Sequence, residues 1–242
     1  MITIILQGSV SDYAFEIANH YLQLPFVSKI IMPFLGDSPI APPMGCNSKI
    51  LITTTTHPPT NGVGNRNYQI KSSYEGMQLS TTEVSVKMRN DQKVSLESMA
   101  MMHEYYEQHK APDIIFVAGI FPTFPFHPRD HIFWGTTENL RTLFNIPFDT
   151  ESLSDDYTKV LRSEAYICMH YYAKHSGNAD YMVKNKASYL LDTSPLRHEA
   201  IELSERLKLF RPFPRINFEW PKYGMKEYHY EYTKQVYGEY QG

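Results

Sequence analysis

Cysteine is nearly missing from this chain: two among 242 residues, Cys46 and Cys168, far apart. Such a pair supports neither a disulfide framework nor a structural zinc site, and a reducing, cytoplasmic setting is expected. No apolar run approaches the ~20 residues of a membrane span. The start, Met1 to Gln7, lacks the basic region of a secretory signal, so none is expected. Neither sign of charge dominates: 23 Lys and Arg stand against 26 Asp and Glu, a formal charge of −3. No nucleic-acid partner is expected, because phosphate affinity comes mostly from surplus Lys and Arg. The spaced glycines of a dinucleotide fingerprint are absent, as are a Gly-Lys-Ser/Thr phosphate loop, a Gly-x-Ser-x-Gly elbow and a His-Glu-x-x-His pair. His103 and His109, six apart, do not share a helix face, and His170 and His175 fail similarly as a metal pair.

What is present is apolar material for a sizeable core, 42% of residues, which excludes a disordered chain. Aromatics reach 14%, with 18 Tyr. They suit sugar- or base-binding surfaces, and a Tyr-rich core equally well.

The first half alternates strand and helix signals. Ile2–Leu6 is a β-branched run that stops at Gln7-Gly8-Ser9. Ala14, Ile17, Ala18, Tyr21 and Leu22 then keep helical spacing behind a Ser11 cap. Strand-like runs at Lys29–Pro33 and Lys49–Thr53 are divided and followed by Pro- and Gly-rich stretches. Asn65–Leu79 reads as a helix, Thr82–Met88 as a strand, Leu96 to Tyr106 as a helix, and Asp113–Gly119 as a buried strand. This order predicts a mainly parallel sheet between helices. The second half is less regular. Phe121–Trp134 is aromatic and proline-rich. Helices are expected through Leu140, Leu143 and Phe144 behind Thr136 or Thr137, over Glu164–Lys174, and from Pro195 with Leu196, Ala200, Leu203 and Leu207 inward. One domain over 1–210, followed by a Tyr-rich extension over 211–242, is the expected organisation.

Five places carry candidate chemistry. Gln7 and Gly8 follow the first strand, where open α/β sheets bind ligands; a plain strand-to-helix turn is the other reading. Asn65, Arg66 and Gln69 open a helix after a Gly loop. Its N-terminus would attract an anion and Arg66 would add a charged fork, unless this is merely an exposed helix start. Arg89-Asn90-Asp91 ends a strand, where Asp91 can hold a hard divalent cation or simply cap the next helix. Phe126 to His131, followed by Phe133 and Trp134, sets titratable groups among aromatics. That mix suits a ligand pocket, and buried aromatics would raise the Asp130 carboxyl; a hydrophobic turn with solvated charges also fits. Glu164 starts a helix, either complementing the dipole or serving a site.

Several of these segments share a resemblance. Leu6-Gln7-Gly8, the helix from Asn65-Arg66-Asn67-Tyr68-Gln69 to Gly76, the strand Val86-Lys87-Met88-Arg89-Asn90-Asp91, and Phe126-His127-Pro128-Arg129-Asp130 through Gly135 together resemble the WavE lipopolysaccharide-synthesis family of glycosyltransferases. Glu164-Ala165-Tyr166-Ile167 looks like that family's acidic helix start. The resemblance implies a GT-A-type, Rossmann-like sheet with a nucleotide sugar at its strand ends. A manganese or magnesium ion on the donor diphosphate would be held by Asp91. Arg89 stands where the first carboxylate of an Asp-x-Asp pair is usual, and would itself neutralise diphosphate charge.

The expected activity is transfer of a sugar from a nucleoside-diphosphate donor to a hydroxyl of a glycan acceptor. Arg66, Lys87, Arg89 or an ion at Asp91 would stabilise the leaving diphosphate. Asp130, in preference to Glu164, would take the acceptor proton. Phe126, Phe133 and Trp134, with His127, would align the acceptor. Two alternatives are a sugar-phosphate nucleotidyltransferase, disfavoured because Gln7–Asp12 holds no basic residue, and a degenerate module that binds glycan or nucleotide without turnover.

Overall fold

The computed structural model describes residues 1–120, 126–150, 161–177, 195–220 and 225–231. The start of the aromatic, proline-rich stretch, 121–125, and the end of the extension, 232–242, lie outside the described residues, as does the side chain of Leu196.

The chain opens with β1 (Ile2–Gln7), α1 (Asp12–Tyr21), β2 (Val27–Leu35) and β3 (Ile50–Thr55). Then come α2 (Arg66–Gln78), β4 (Val84–Arg89), β5 (Lys93–Val94), α3 (Leu96–His109) and β6 (Ile115–Val117). After these lie β7 (Ile132–Thr136), α4 (Thr137–Phe144), α5 (Ser163–Ser176), α6 (Pro195–Leu207), β8 (Phe210–Pro212), β9 (Arg215–Trp220) and β10 (Met225–Glu231). Capping follows the sequence. Ser11 and Thr136 accept from the backbone N–H groups of Ala14 and Asn139, at 3.2 and 3.1 Å.

Seven strands form one sheet in the order β3-β2-β1-β4-β7-β6-β8. Four of its six pairings are parallel; only β7 runs against its neighbours β4 and β6. The expected mainly parallel α/β sheet with helices on both faces is therefore observed. Alternation along the strands feeds two apolar layers. Ile4, Leu6, Val86, Phe116 and Trp134 pack with α1 and α3 on one side. Ile5, Ile31, Ile115, Val117 and Phe133 pack with α2, α4 and α5 on the other. Each fully buried large side chain is worth about 1.5–3 kcal/mol. At Gly76 a Cβ would come within 2.7 Å of Ile5, so glycine lets α2 lie directly on β1.

Five strands escaped the sequence patterns: β5, β7, β8 and the two of the β9–β10 hairpin. The hairpin joins β5 in a small antiparallel sheet. The boundary expected at 210/211 falls inside β8, and Phe213, Ile216 and Phe218 belong to the main apolar layer. The described start of the extension is thus built into the domain.

Connectivity places the site. From β1 the chain moves outward to β2 and β3, then returns to the opposite side of β1 as β4. The carboxyl ends of β1 and β4 lie side by side, with Gln7 paired to Arg89. Such a reversal opens a crevice beyond the strand ends.

Candidate functional site

A cleft of about 690 Å³ occupies that crevice, within the range of small-molecule sites. Gln7, Gly8 and Ser9–Ser11 enter it from the end of β1, and Phe34 and Leu35 from the end of β2. His57, Gly64, Asn65, Tyr68 and Gln69 form a second wall. Arg89, Asn90 and Asp91 come from the end of β4, Asp130 from the approach to β7, and Ser163 and Glu164 from the start of α5. Gln7, Gly8, Asn65, Gln69, Arg89, Asp91, Asp130 and Glu164, separate in sequence, thus share one cavity.

The Gln7-Gly8-Ser9 turn is locked to β4. Asn90 donates its backbone N–H to the Gln7 carbonyl at 3.0 Å and its amide to the Ser9 carbonyl at 2.7 Å. A Cβ on Gly8 would lie 1.8 Å from Asn90 Oδ1. Glycine is needed here to admit Asn90, where the sequence had suggested room for a ligand.

The wall before α2 is built from left-handed backbone. Gly62, Gly64 and Asn65 all have φ near +60°, a region glycine and Asn tolerate best. Asn67 ties this loop down, donating to Thr60 and to the Asp149 carbonyl and accepting from the Asp149 N–H at 2.8 Å. Tyr68 and His57 meet edge to face at 5.5 Å on the cleft rim. The Gln69 side-chain nitrogen is buried with no hydrogen-bond partner among the described residues.

Arg66 is elsewhere. Its side chain is fully buried; Nε donates to the Val63 carbonyl at 3.1 Å and Nη2 to that of Leu161. Nη1 lies 3.4 Å from Asp149 Oδ2, and the guanidinium covers the Tyr166 ring. The expected phosphate contact at Arg66 is therefore corrected: this charge braces the loop from inside. Lys87 is also fully buried, its Nζ donating to the Asp130 carbonyl at 2.9 Å. It sits behind the cleft wall and acts there through its charge.

Phe133 and Trp134 require correction too. Both are 0% exposed at the centre of β7. Phe133 packs on Phe144 and Phe210, Trp134 on Tyr106 and Phe213. Neither ring can stack on a sugar. Phe126, 2% exposed, packs on Tyr172, and His127 is 3% exposed. Among the described residues, His57 and Tyr68 bring accessible rings to the cleft; Phe34 borders it but is itself 0% exposed. Tyr68 had a signal available, since it falls on the outer face of a helix whose Arg66, Asn67 and Ile70 turn inward.

The charged end is a chain of pairs. Arg89 donates Nε to Asp91 Oδ1 at 2.9 Å and Nη2 to Oδ2 at 2.7 Å. Its Nη1 lies 3.6 Å from Asp130 Oδ2. Asp91, expected to hold a metal ion through one carboxylate oxygen, has both oxygens turned to a guanidinium. Among the described residues, no three His, Cys, Asp or Glu side chains are grouped to hold an ion.

These pairings split the two candidate bases. Burial raises the Asp130 carboxyl, but Lys87 and Arg89 outweigh it and hold Asp130 below its ordinary range. Burial raises the Glu164 carboxyl, and the Asp130 charge pushes it the same way. Burial draws Lys87 down to about 8 against the pull of Asp130. His127, 3.9 Å from Glu164, is pushed down to about 4 by burial and then by Arg162, so it is neutral at neutral pH. An ionised, paired Asp130 thus stands beside a Glu164 of raised proton affinity.

No protein-family model matches the chain, and no curated protein matches it in sequence. Among solved structures it is similar to TarS 1-349 from S. aureus. The TM-score is 0.45 at 13% identity, over 71% of this chain and 55% of that one. A longer TarS structure gives 0.44 at 11% identity, over 71% and 33%. HddC from Yersinia pseudotuberculosis, solved in complex with GMP-PN, gives 0.38 at 12% identity, over 64% and 84%. The chain thus spans about half of TarS 1-349 and about a third of the longer TarS structure. Similarity at this level says nothing of activity. No helix among the described residues is long and apolar enough to cross a membrane.

Proposed function

We propose that this protein is a glycosyltransferase that moves a sugar from a nucleoside-diphosphate donor to a hydroxyl of a glycan acceptor. One observation carries the reading: Arg89 and Glu164 line the same strand-end cleft. Group transfer from a diphosphate needs a fixed positive charge for the leaving group and a base for the incoming hydroxyl. Arg89 supplies the first. Glu164 supplies the second better than Asp130, because its carboxyl is raised toward working pH while Asp130 is committed to Lys87 and Arg89. Asp130 then serves as a positioning residue for Arg89. The acceptor oxygen attacks the anomeric carbon, its proton passes to Glu164, and the nucleoside diphosphate leaves against Arg89. The uncharged part of the cleft, with Gln7, Leu35, Tyr68 and Gln69, takes the nucleoside.

The test is release of nucleoside diphosphate from a panel of nucleotide sugars, with and without added glycans. One donor should turn over, and Glu164→Gln should lose ~10²–10⁴ of that rate. Donor binding without hydrolysis or transfer under any condition would favour the non-catalytic binding module instead.

A further inference from the structure

The charged end of the cleft departs from what a metal-assisted transferase needs. A divalent ion on a diphosphate wants carboxylate oxygens free to turn toward it, and magnesium adds a near-octahedral demand. Here the Asp91 carboxylate is clasped by two parallel N–H···O bonds from Arg89, at 2.9 and 2.7 Å. The same guanidinium reaches Asp130 at 3.6 Å, so it sits between two carboxylates where an ion would otherwise bridge them. Lys87, buried behind Asp130, adds a second resident positive charge. As they stand, these side chains do not fit a bound divalent ion.

Resting on the donor reading above, we propose that the cleft binds its nucleoside diphosphate without a divalent cation, with Arg89 as the permanent countercharge and Asp91 as the group that orients it. The Arg89 side chain keeps 26% of its surface exposed and lines the cleft, so it is both held and reachable. A guanidinium suits this work better than an ammonium because its planar fork grips a carboxylate along one edge while the charge spreads over the others. A metal entering the site would have to break the Asp91 fork. A phosphate approaching Arg89 would not.

The experiment is calorimetric titration of the full chain with uridine, guanosine, cytidine and adenosine diphosphates, in EDTA and again in manganese. The expected result is one nucleotide that binds with the same affinity, within about twofold, in both buffers. Arg89→Ala should weaken it about tenfold or more in both, the scale of a lost charge-assisted contact. Arg89→Lys should fall between the two. Asp91→Asn should weaken binding equally in both buffers, since it loosens Arg89 and removes no metal ligand. Binding that requires manganese, or that manganese tightens about tenfold or more in wild type but not in Asp91→Asn, would overturn the inference and leave the donor reading intact. If no nucleoside diphosphate bound in either buffer, the donor reading would fall, and the inference with it.

Discussion

Arg89 and Asp91, two residues apart at the end of β4, form a two-bond fork in which Nε and Nη2 each meet one carboxylate oxygen. The turn between them is held by Asn90, which reaches across to Ser9 at the end of β1. The backbone that joins the two strand ends therefore also fixes the charge pair on the cleft wall. A buried amide locks the floor, and a partly exposed guanidinium is presented above it.

The lock at Gly8 has a measurable consequence. Gly8→Ala would drive a methyl into Asn90, at 1.8 Å from its Oδ1. Overpacking of this kind typically costs about 1–3 kcal/mol. In urea titrations Gly8→Ala and Asn90→Ala should each lower the midpoint, and the double variant should lose less than the two together. Strict additivity would mean that the clash is relieved by backbone movement.

Arg66 should behave as a structural residue. Removing it takes the countercharge from the buried Asp149 carboxylate, and breaking a buried pair costs about 3–5 kcal/mol. Arg66→Ala should therefore lower the unfolding midpoint strongly, while donor affinity, measured where the variant is still folded, stays close to wild type. Intact stability with lost donor affinity would return Arg66 to the site.

Much of the frame was legible in the sequence because the strands that make the crevice announce themselves. Ile2–Leu6 and Val84–Met88 are β-branched or alternating runs that end in polar turns, and the open-sheet rule puts such ends on one edge. What could not be read depends on distant partners. Arg66 and Asn67 look like an exposed helix start, but Asn67 bonds Asp149, 82 residues away, and Arg66 pairs with that same Asp149. Phe133 and Trp134 lie on a strand buried on both faces, which shows no polar alternation and so resembles an aromatic loop. Asp130 and Glu164 both reach the cleft as expected. Their order as bases depends on Lys87 and Arg89 facing Asp130, which spacing along the chain does not disclose.

Acid should destabilise the protein through His127. Its folded pKa, about 4, lies below the ordinary 6.5 because burial disfavours the charged ring. A depressed folded pKa gives a contribution that is complete above pH 6.5 and lost as pH falls toward 4. The span corresponds to about 3 kcal/mol. His127→Gln should flatten the pH dependence of the unfolding midpoint over that window. An unchanged slope would place the titration elsewhere.

The pH dependence of turnover should report Glu164. A base must be ionised, so the rate constant should climb with pH through a limb above the ordinary carboxylate range, since burial and Asp130 raise this group. Glu164→Gln should remove the limb along with most of the rate. A limb that survived in Glu164→Gln and vanished in Asp130→Asn would reverse the two roles.

The most direct measurement is a crystal structure of the protein with its nucleoside diphosphate bound. The account predicts diphosphate oxygens within hydrogen-bond distance of the Arg89 guanidinium, the nucleoside against Gln7 and Tyr68, and the Glu164 carboxylate facing the open position beyond the terminal phosphate. A nucleotide bound outside this cleft, or one whose phosphates turn away from both Arg89 and Glu164, would contradict it.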